Sequence, residues 1–530
     1  MKKHFFLACL ALIAAGMQAQ ETYESAELAT EDLNGTARYI GMGGAMEALG
    51  ADISTIGTNP AGIGLFRRSW VGASAGLTIQ RGDSYDFCKN GKTNADFNQM
   101  GAVYAMQTSE NSFFNFGFNY HKNRNFNQIL SAMGDLYNSS VSEKAIVAMQ
   151  SDTWQCNYMD YLVYDNYDQS GVRHMPYGTP QFFGFNDNEG YISEFNFNIS
   201  GNIKNRIFLG LSVGVYDVNY KSSANYYEDV MYNIYRSLRF QDTGASESDY
   251  DKLTANYPFG LETVNYKEIT GSGADIKLGA IFRPIETSPF RIGLYIHTPT
   301  WYRLTSRVDQ DAYTYSDHDS YGLGLSSETR YRLSTPWKFG VSLGHTFSNV
   351  VALGATYEFS DYSSINVAND FSKDDRVVNN NTDRSLKGVH TLKFGIEVKP
   401  VPEVAIRAGY NYQSAIYDAD KGCKDYMLHE YESETYGSFY TSNDYTNWKG
   451  TNRLTFGLGF ALTKNVNLDL SYQYASQKGE YHPYSSTRGQ MYVDGDAESY
   501  PTGENIENGS VMQNVKNDRH QLNCTLSYKF

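Results

Sequence analysis

Polar and apolar residues alternate with a period of two along most of this chain. In "TNRLTFGLGFALT", Leu454, Phe456, Leu458, Phe460 and Leu462 share one face, while Arg453, Thr455, Gly457, Gly459 and Ala461 share the other. In "NVNLDLSYQYASQ" the apolar set is Val466, Leu468, Leu470, Tyr472 and Tyr474, and in "NRIFLGLSVGVYDVNY" it is Ile207, Leu209, Leu211, Val213 and Val215. Side chains of a strand point alternately to its two faces, so each segment predicts a strand with one apolar face. The same reading places strands near 70–81, 98–108, 112–122, 191–201, 205–220, 262–283, 289–305, 329–347, 350–362, 388–400, 403–416, 451–463, 465–478 and 519–530.

A soluble sandwich also alternates, so the gaps between strands decide the fold. Short gaps at 109–111, 202–204, 284–288, 348–349, 401–402 and 464 alternate with long ones near 82–97, 123–190, 221–261, 306–328, 363–387, 417–450 and 479–518. Short turns on one rim and long loops on the other mark an all-β transmembrane antiparallel β-barrel of about 14 strands, each long enough to cross a bilayer at a tilt. The last residues, "LNCTLSYKF", align Leu522, Cys524, Leu526, Tyr528 and Phe530 into an outward stripe. Many outer-membrane barrels end on such a terminal aromatic, which their assembly machinery reads, so that machinery is an expected partner.

Composition changes the picture in two places. A mean hydropathy of -0.49 reads as soluble, but a barrel turns only alternate residues to lipid and averages polar. The net charge of -15, from 44 basic and 59 acidic side chains, argues against a nucleic-acid partner. Lys2 and Lys3 precede an apolar run, and a small residue at Ala19 is suited to cleavage, so residues 1–19 are expected to be a signal peptide. No later run suffices for a transmembrane helix. Cys9 lies too early in the apolar run for a lipoprotein. Cys88, Cys156, Cys423 and Cys524 have neither zinc nor framework spacing, leaving one loop disulfide, Cys88 with Cys156, as an open alternative.

Residues 20–69 break the alternation. "GMGGAMEALGADISTIGTNPAGIGLF" is glycine-rich and nearly uncharged; its pieces support single helical turns stopped by Gly50 and Gly57. Such a segment is expected to fold into the barrel lumen. "ARYIGMGGAMEALGADISTIGTNPAGIG" resembles the N-terminal hatch of the FadL/TodX family of outer-membrane hydrophobic-compound transporters, and "RIGLYIHTPTWY" and "RLSTPWKFGVSLGHTF" later in the chain also resemble members of that family. The resemblance implies a hatch at 20–69, a barrel at 70–530 with long extracellular loops, and passive uptake of long-chain fatty acids or similar compounds across the outer membrane. It carries over Asn59, Pro60 and Ala61 as the hatch signature, with Gly41, Gly43 and Gly44 as its gating lead-in. The chain departs from better-known members in its longer second outer loop, and Gly117 is the sole candidate for the kink that opens the third strand in those transporters. Outer-membrane lipid and lipopolysaccharide are the expected surroundings, and the barrel is expected to be a monomer. The alternative is a binding barrel whose loops contact a partner and whose hatch only seals the pore; an apolar lumen would favour transport and a polar, filled one the alternative.

Inward positions on neighbouring strands carry Lys393, Glu397, Arg407, Arg453 and Asp469. Bracing ion pairs are the default for these, and Arg407 and Arg453 are candidate contacts for a ligand carboxylate, which arginine binds bidentately. "QILSAMGDLYNSSVSEKAIVAMQ" in the second long loop has spacing for one or two short helices. "GASAG", "GLSVG" and "GVSLG" match a nucleophile elbow but fall inside strands, so no catalysis is expected. "GMGGA" lacks the context of a phosphate loop, and the histidines lack ligand spacing. Acidic residues in 363–387 and 479–518 read as solvating rather than calcium-binding. No metal and no cofactor are expected.

Overall fold

A computed structural model describes residues 22–81, 91–136, 181–232, 257–315, 320–348, 350–369, 376–418, 444–484, 487–492, 501–508 and 511–530. The signal-peptide and Cys88–Cys156 expectations lie outside them. The strands are β1 (Trp70–Arg81), β2 (Gly91–Ser109), β3 (Ser112–Asn125), β4 (Gln128–Asp135), β5 (Gln181–Ile203), β6 (Ile207–Tyr232) and β7 (Tyr257–Phe282). There follow β8 (Arg291–His297), β9 (Trp301–Tyr315), β10 (Ser320–Ser334), β11 (Lys338–Phe347), β12 (Val351–Asp361), β13 (Asn366–Asn369) and β14 (Gly388–Val401). The chain finishes with β15 (Val404–Gln413), β16 (Tyr445–Ala461), β17 (Val466–His482), β18 (Thr487–Tyr492), β19 (Pro501–Asn508) and β20 (Gln513–Lys529).

Among the described residues, antiparallel ladders close these strands into a barrel of 14 staves. β1 seals it by pairing with β2 on one side and with β20, from Trp70↔Lys529 to Arg81↔Asp518, on the other. Closure removes the unpaired edges an open sheet would expose to lipid. β18 and β19 form a separate hairpin in the last long loop.

The two faces divide as the alternation requires. Leu209, Leu211, Val213, Leu454, Phe456, Leu458, Leu522 and Leu526 stand exposed on the outer wall, where an apolar belt meets lipid, while Ser212, Thr455, Arg453, Lys393 and Glu397 are buried inside. Four staves are interrupted, that of β12 and β13 by a 3-10 turn at Tyr362–Ser364. Thr298–Pro299–Thr300 separates β8 from β9, and Thr335–Pro336–Trp337 separates β10 from β11. Proline cannot donate to a ladder, and the two breaks face each other, bridged by Thr300 N–H to Thr335 Oγ1 at 2.8 Å and Thr335 N–H to the Thr300 carbonyl at 3.2 Å. The third stave breaks between β3 and β4.

The second-loop helix expectation is corrected in part: "QILSAMGD" is β4, paired with β5 from Gln128↔Asn188 to Asp135↔Gln181. The rest of that stretch lies outside the described residues. A helix, Arg376–Ser385, occupies the loop before β14.

Candidate functional site

Residues 22–66 run through the lumen, from a helix at Thr22–Ala29 to a 3-10 turn at Pro60–Leu65. Local hydrogen bonding builds the lower part of this segment. Thr36 accepts from Tyr39 N–H at 3.0 Å to start a helix at Ala37–Gly41; Asp52 accepts from Ser54 N–H at 3.0 Å to start a 3-10 turn at Ile53–Gly57; Asn59 accepts from Ala61 N–H at 3.2 Å to start the last one. Each cap satisfies an amide that a short helix leaves without an internal partner. Gly43 and Gly44 adopt φ of 63° and 78°, left-handed values that glycine tolerates without strain.

The segment is seated against the wall by glycines of the wall. Gly344, Gly354, Gly395 and Gly409 lie directly opposite one another across β11, β12, β14 and β15. A methyl at Gly354 would overlap the Ala45 carbonyl oxygen, at Gly395 the Met42 carbonyl oxygen, and at Gly409 the Gly43 nitrogen. A Cβ on Gly457 would stand 3.2 Å from the Gly41 Cα. On the opposite wall, Gly210 of β6 and Gly279 of β7 receive Pro60 and Asn59 in the same way. Backbone therefore packs on backbone around most of the circumference.

Charges add a second set of contacts. Arg38 donates to both oxygens of Glu397 at 3.1 and 3.2 Å; Glu397 also accepts from Arg407 at 2.6 Å, and Arg407 reaches Asp469 at 2.7 Å. Lys393 bridges Glu47 and Glu358, both at 2.9 Å. The inward set read from sequence is thus joined by two charges of the luminal segment, Arg38 and Glu47. The signal for Glu47 was an acid, one of two, in an apolar, glycine-rich run.

The sequence-derived site residues separate. Asn59, Pro60 and Ala61 are buried on the wall, with the Asn59 amide 3.5 Å from the Ala280 carbonyl and the Pro60 carbonyl accepting from Asn198 at 3.3 Å. Gly41, Gly43 and Gly44 are buried beside β14, β15 and β16 or packed on Leu33 and Tyr39. Arg407 lies in the ion network beneath the cavity described next, and Arg453 lines that cavity.

Above the seat, towards the long-loop rim, lies a cavity of about 220 Å³ between the first helix and the wall. Tyr23, Tyr417, Tyr445 and Trp448 form its aromatic side; Tyr23 stacks on Tyr417 with ring centres 4.9 Å apart. Its other side is charged: Lys267 pairs with Glu24 at 2.7 Å, and Arg124, Arg453 and Arg519 gather around Asp32. Asp32 accepts from Arg124 Nη1 and from the Asn125 N–H, both at 2.9 Å, with Arg519 Nη1 4.0 Å away. Burial opposes ionisation of Asp32, but Arg124, Arg519 and the amide outweigh it and hold the carboxyl below its usual range. Glu27, 3.9 Å from Arg124, is pushed up by burial, which outweighs that guanidinium. The cavity is amphipathic, and much of the remaining lumen is filled by the segment and its ion pairs. That differs from the apolar lumen set out above as favouring transport, because a segment docked by backbone and charge leaves few apolar surfaces free.

Between β2 and β3 the wall itself is open. β2 pairs with β3 only from Gln99↔His121 to Ser109↔Ser112, although β2 continues along β1 to Arg81↔Gly91. Beyond His121 the third stave bulges between Lys122 and Arg124, and β4 turns inward, where Ile129 exchanges two hydrogen bonds with the Gln80 side chain on β1 at 2.8 and 2.9 Å. Side chains span the gap: Lys122 and Asn125 both reach Asp96 at 2.5 Å, and Lys92 reaches Glu189 at 2.9 Å and also Asp187. Gly117, the sequence candidate for a kink, instead sits in unbroken ladders facing Val103 and Asn198, where its missing side chain makes room for Ile56. The signal for the true break was the loss of alternation in "HKNRNFNQ".

The three Gly-x-Ser-x-Gly serines lie mid-strand, with Ser74 bonded to Thr525 at 2.7 Å and Ser212 to Asn198 at 2.9 Å. Among the described residues no cluster of His, Cys, Asp or Glu suits a metal ion.

The sequence matches no protein-family model and no curated relative. Among solved structures, the chain is similar to a FadL homologue of Pseudomonas aeruginosa, with a TM-score of 0.51 and 11% identity over 94% of this chain and 99% of that one. The toluene transporter TbuX of Ralstonia pickettii gives 0.47 and 12% over 94% and 99%, and the toluene transporter TodX of Pseudomonas putida 0.45 and 12% over 94% and 98%. At the first of these scores the likeness reaches the fold: across nearly its whole length, this chain has the fold of the Pseudomonas FadL homologue.

Proposed function

We propose that this chain is an outer-membrane transporter of the FadL/TodX family, passing hydrophobic compounds inward without energy input. Segment 22–66 acts as its hatch, and Asn59, Pro60, Ala61, Gly41, Gly43 and Gly44 hold that hatch in its resting position. The observation that carries the reading is the open ladder between β2 and β3, which outweighs the polar, filled lumen that counts towards the alternative. A water-filled pore needs no plug, and a barrel that only displays loops needs no gap in its wall. A compound captured in the amphipathic cavity has a short path through that gap into the bilayer. Burial of each methylene favours such capture by roughly 0.8 kcal/mol, which an aqueous pore cannot supply.

The test uses intact cells lacking their own hydrophobic-uptake barrel and expressing this chain. Entry of a hydrophobic probe should rise while entry of a sugar of similar size does not. Deleting Asn59, Pro60 and Ala61 should admit the sugar as well. Unchanged entry of the hydrophobic probe, in cells where the folded barrel is detected in the outer membrane, refutes the proposal.

A further inference from the structure

On the outer face of the wall, β9 and β10 carry an uncompensated pair of like charges. Tyr302, Leu304, Tyr331 and Leu333 are buried inward, so Trp301, Arg303, Thr305 and Arg307 face outward on β9, and Ser334, Arg332, Arg330 and Glu328 do so on β10. Register sets Arg303 directly opposite Arg332. Side chains so placed have Cβ atoms about 5 Å apart, and like charges there repel. Their other cross-strand neighbours, Ser272 on β7 and Ala368 on β13, bring no charge. Among the described residues neither arginine has an ion pair. Elsewhere the chain answers such groups. Arg307 lies between Glu268 and Glu328 and pairs with Asp309 at 3.2 Å, and Arg330 has Glu328 3.9 Å away. Lys478 also stands opposite Lys516 on the outer face, but there Asp518 meets Lys516 at 2.5 Å. In a chain with 59 acidic against 44 basic side chains, an arginine pair left without a carboxylate is out of character.

The height of the pair decides what meets it. On the stave of β10 and β11, Phe347, Leu343, Val341, Phe339 and Trp337 are exposed on the outer wall. The ten residues of β11 rise about 25 Å, at roughly 3.3 Å each and a tilt near 40°, which is the height of an outer-membrane barrel's apolar belt. Trp337 and Trp301, 46% and 51% exposed, stand at its upper edge, where amphipathic rings mark the boundary with the headgroups. Arg303 and Arg332 are the next outward pair above Trp301. We propose that they bind a phosphate of an outer-leaflet glycolipid, the lipid A part of lipopolysaccharide, whose acyl chains lie on Trp301, Trp337 and the belt below. Solvation alone would leave the repulsion in place, whereas a shared phosphate turns it into a bridge. Each guanidinium offers a planar fork that matches phosphate oxygens bidentately, and one phosphate has oxygens enough for both. The site goes beyond the transport reading and does not depend on it; it requires only that the long-loop rim be outermost.

The experiment uses the full-length folded barrel in lipid-free detergent, with bis-phosphorylated lipid A, the same lipid stripped of its phosphates, and inorganic phosphate as probes. Native mass spectrometry should show wild type retaining the phosphorylated lipid in preference to the stripped one. Replacing both arginines, Arg303→Gln with Arg332→Gln, should lower affinity for the phosphorylated lipid about tenfold or more, the worth of a hydrogen bond to a charged group. Lys204→Gln with Arg206→Gln removes two exposed charges at the short-turn rim and should leave that affinity unchanged. Without lipid, the Arg303–Arg332 variant should melt no lower than wild type, because a repulsion has been removed; phosphorylated lipid A should then raise the melting temperature of wild type but not of this variant. Equal retention of the two lipids, or undiminished binding in the Arg303–Arg332 variant, overturns the site. A lipid-free variant that melts well below wild type assigns the two arginines to the fold and overturns it as well. Displacement of lipid A by inorganic phosphate at equal concentration overturns the lipid as occupant. None of these outcomes touches entry of a hydrophobic probe into cells, by which the transport reading stands or falls separately.

Discussion

The glycine seat makes a sharp prediction, because the wall supplies its own control. Gly354 and Gly201 both belong to membrane-spanning staves, yet a Cβ on Gly354 would overlap the Ala45 carbonyl oxygen, whereas one on Gly201 meets nothing within 4 Å. A flexible side chain could swing away from a new methyl. The two nearest atoms at Gly354 are backbone, with the Ala45 carbonyl carbon next at 3.1 Å, so the luminal segment itself has to move. Overpacking of a filled interior costs about 1–3 kcal/mol, which corresponds to roughly a 5- to 150-fold rise in the unseated fraction. Gly354→Ala should therefore raise protease access to residues 41–66 and leak of a small hydrophilic solute, and Gly201→Ala should do neither. Both variants should still migrate as folded barrels before heating, since the ladder at Gly354 pairs through backbone with Gly344 and Gly395. The seat is refuted if the two alanine variants give the same leak and the same cleavage.

Three further outcomes follow. Replacing Arg407 with Gln removes the partner of Asp469 and one of the two arginines on buried Glu397, which keeps Arg38; the loss in urea unfolding should therefore stay at or below about 3 kcal/mol, the lower end of the range for a broken buried pair, with entry of a hydrophobic probe little changed. Asp96→Ala removes the acceptor shared by Lys122 and Asn125 across the β2–β3 gap, and should speed exit of a hydrophobic probe into the bilayer without changing its binding in the cavity. On acidification, Glu27, raised by burial, takes up its proton first, a step that favours the folded form of the N-terminal strap, residues 22–34. Asp32, held low by Arg124 and Arg519, stabilises the strap above the ordinary carboxylate value near 3.9 and loses that contribution only as pH falls through its depressed value. Protease access to the strap should accordingly stay flat from neutral to mildly acid pH and rise only below that range.

The strands were legible because lipid imposes their pattern. Where the outer face leaves the lipid belt, that constraint ends while backbone pairing continues. The sequence accordingly placed the start of β5 near 191 and the end of β6 near 220, whereas the ladder between them runs on to Gln181↔Asp229 through "KSSANYYED". The same loss of contrast hid the third-stave break, since a polar run reads alike as loop or as wall opening. Arg407 and Arg453 show what a pattern of faces leaves out. Both were placed inward, and both are inward. Register then sets Arg407 directly opposite Glu397, and Arg453 opposite Asn411 and Ala475, so one arginine is neutralised and the other is not. The glycine row was equally invisible, because its members share a level only once four strands are in register.

The lumen is thus held in two different ways along its length. Below, residues 41–65 dock through backbone contacts on glycines, reinforced by the buried Glu47–Lys393 pair and by partly exposed Arg38 on buried Glu397. Above, the strap depends on carboxylates, at Glu24, Glu31 and Asp32, that meet wall cations beside a cavity. Close-packed backbone yields only if the wall distorts, which a closed barrel resists. An ion pair beside a cavity yields to any competing ion of better geometry. The strap is therefore the more weakly held part of the luminal segment, and the glycine-seated part is the floor beneath it.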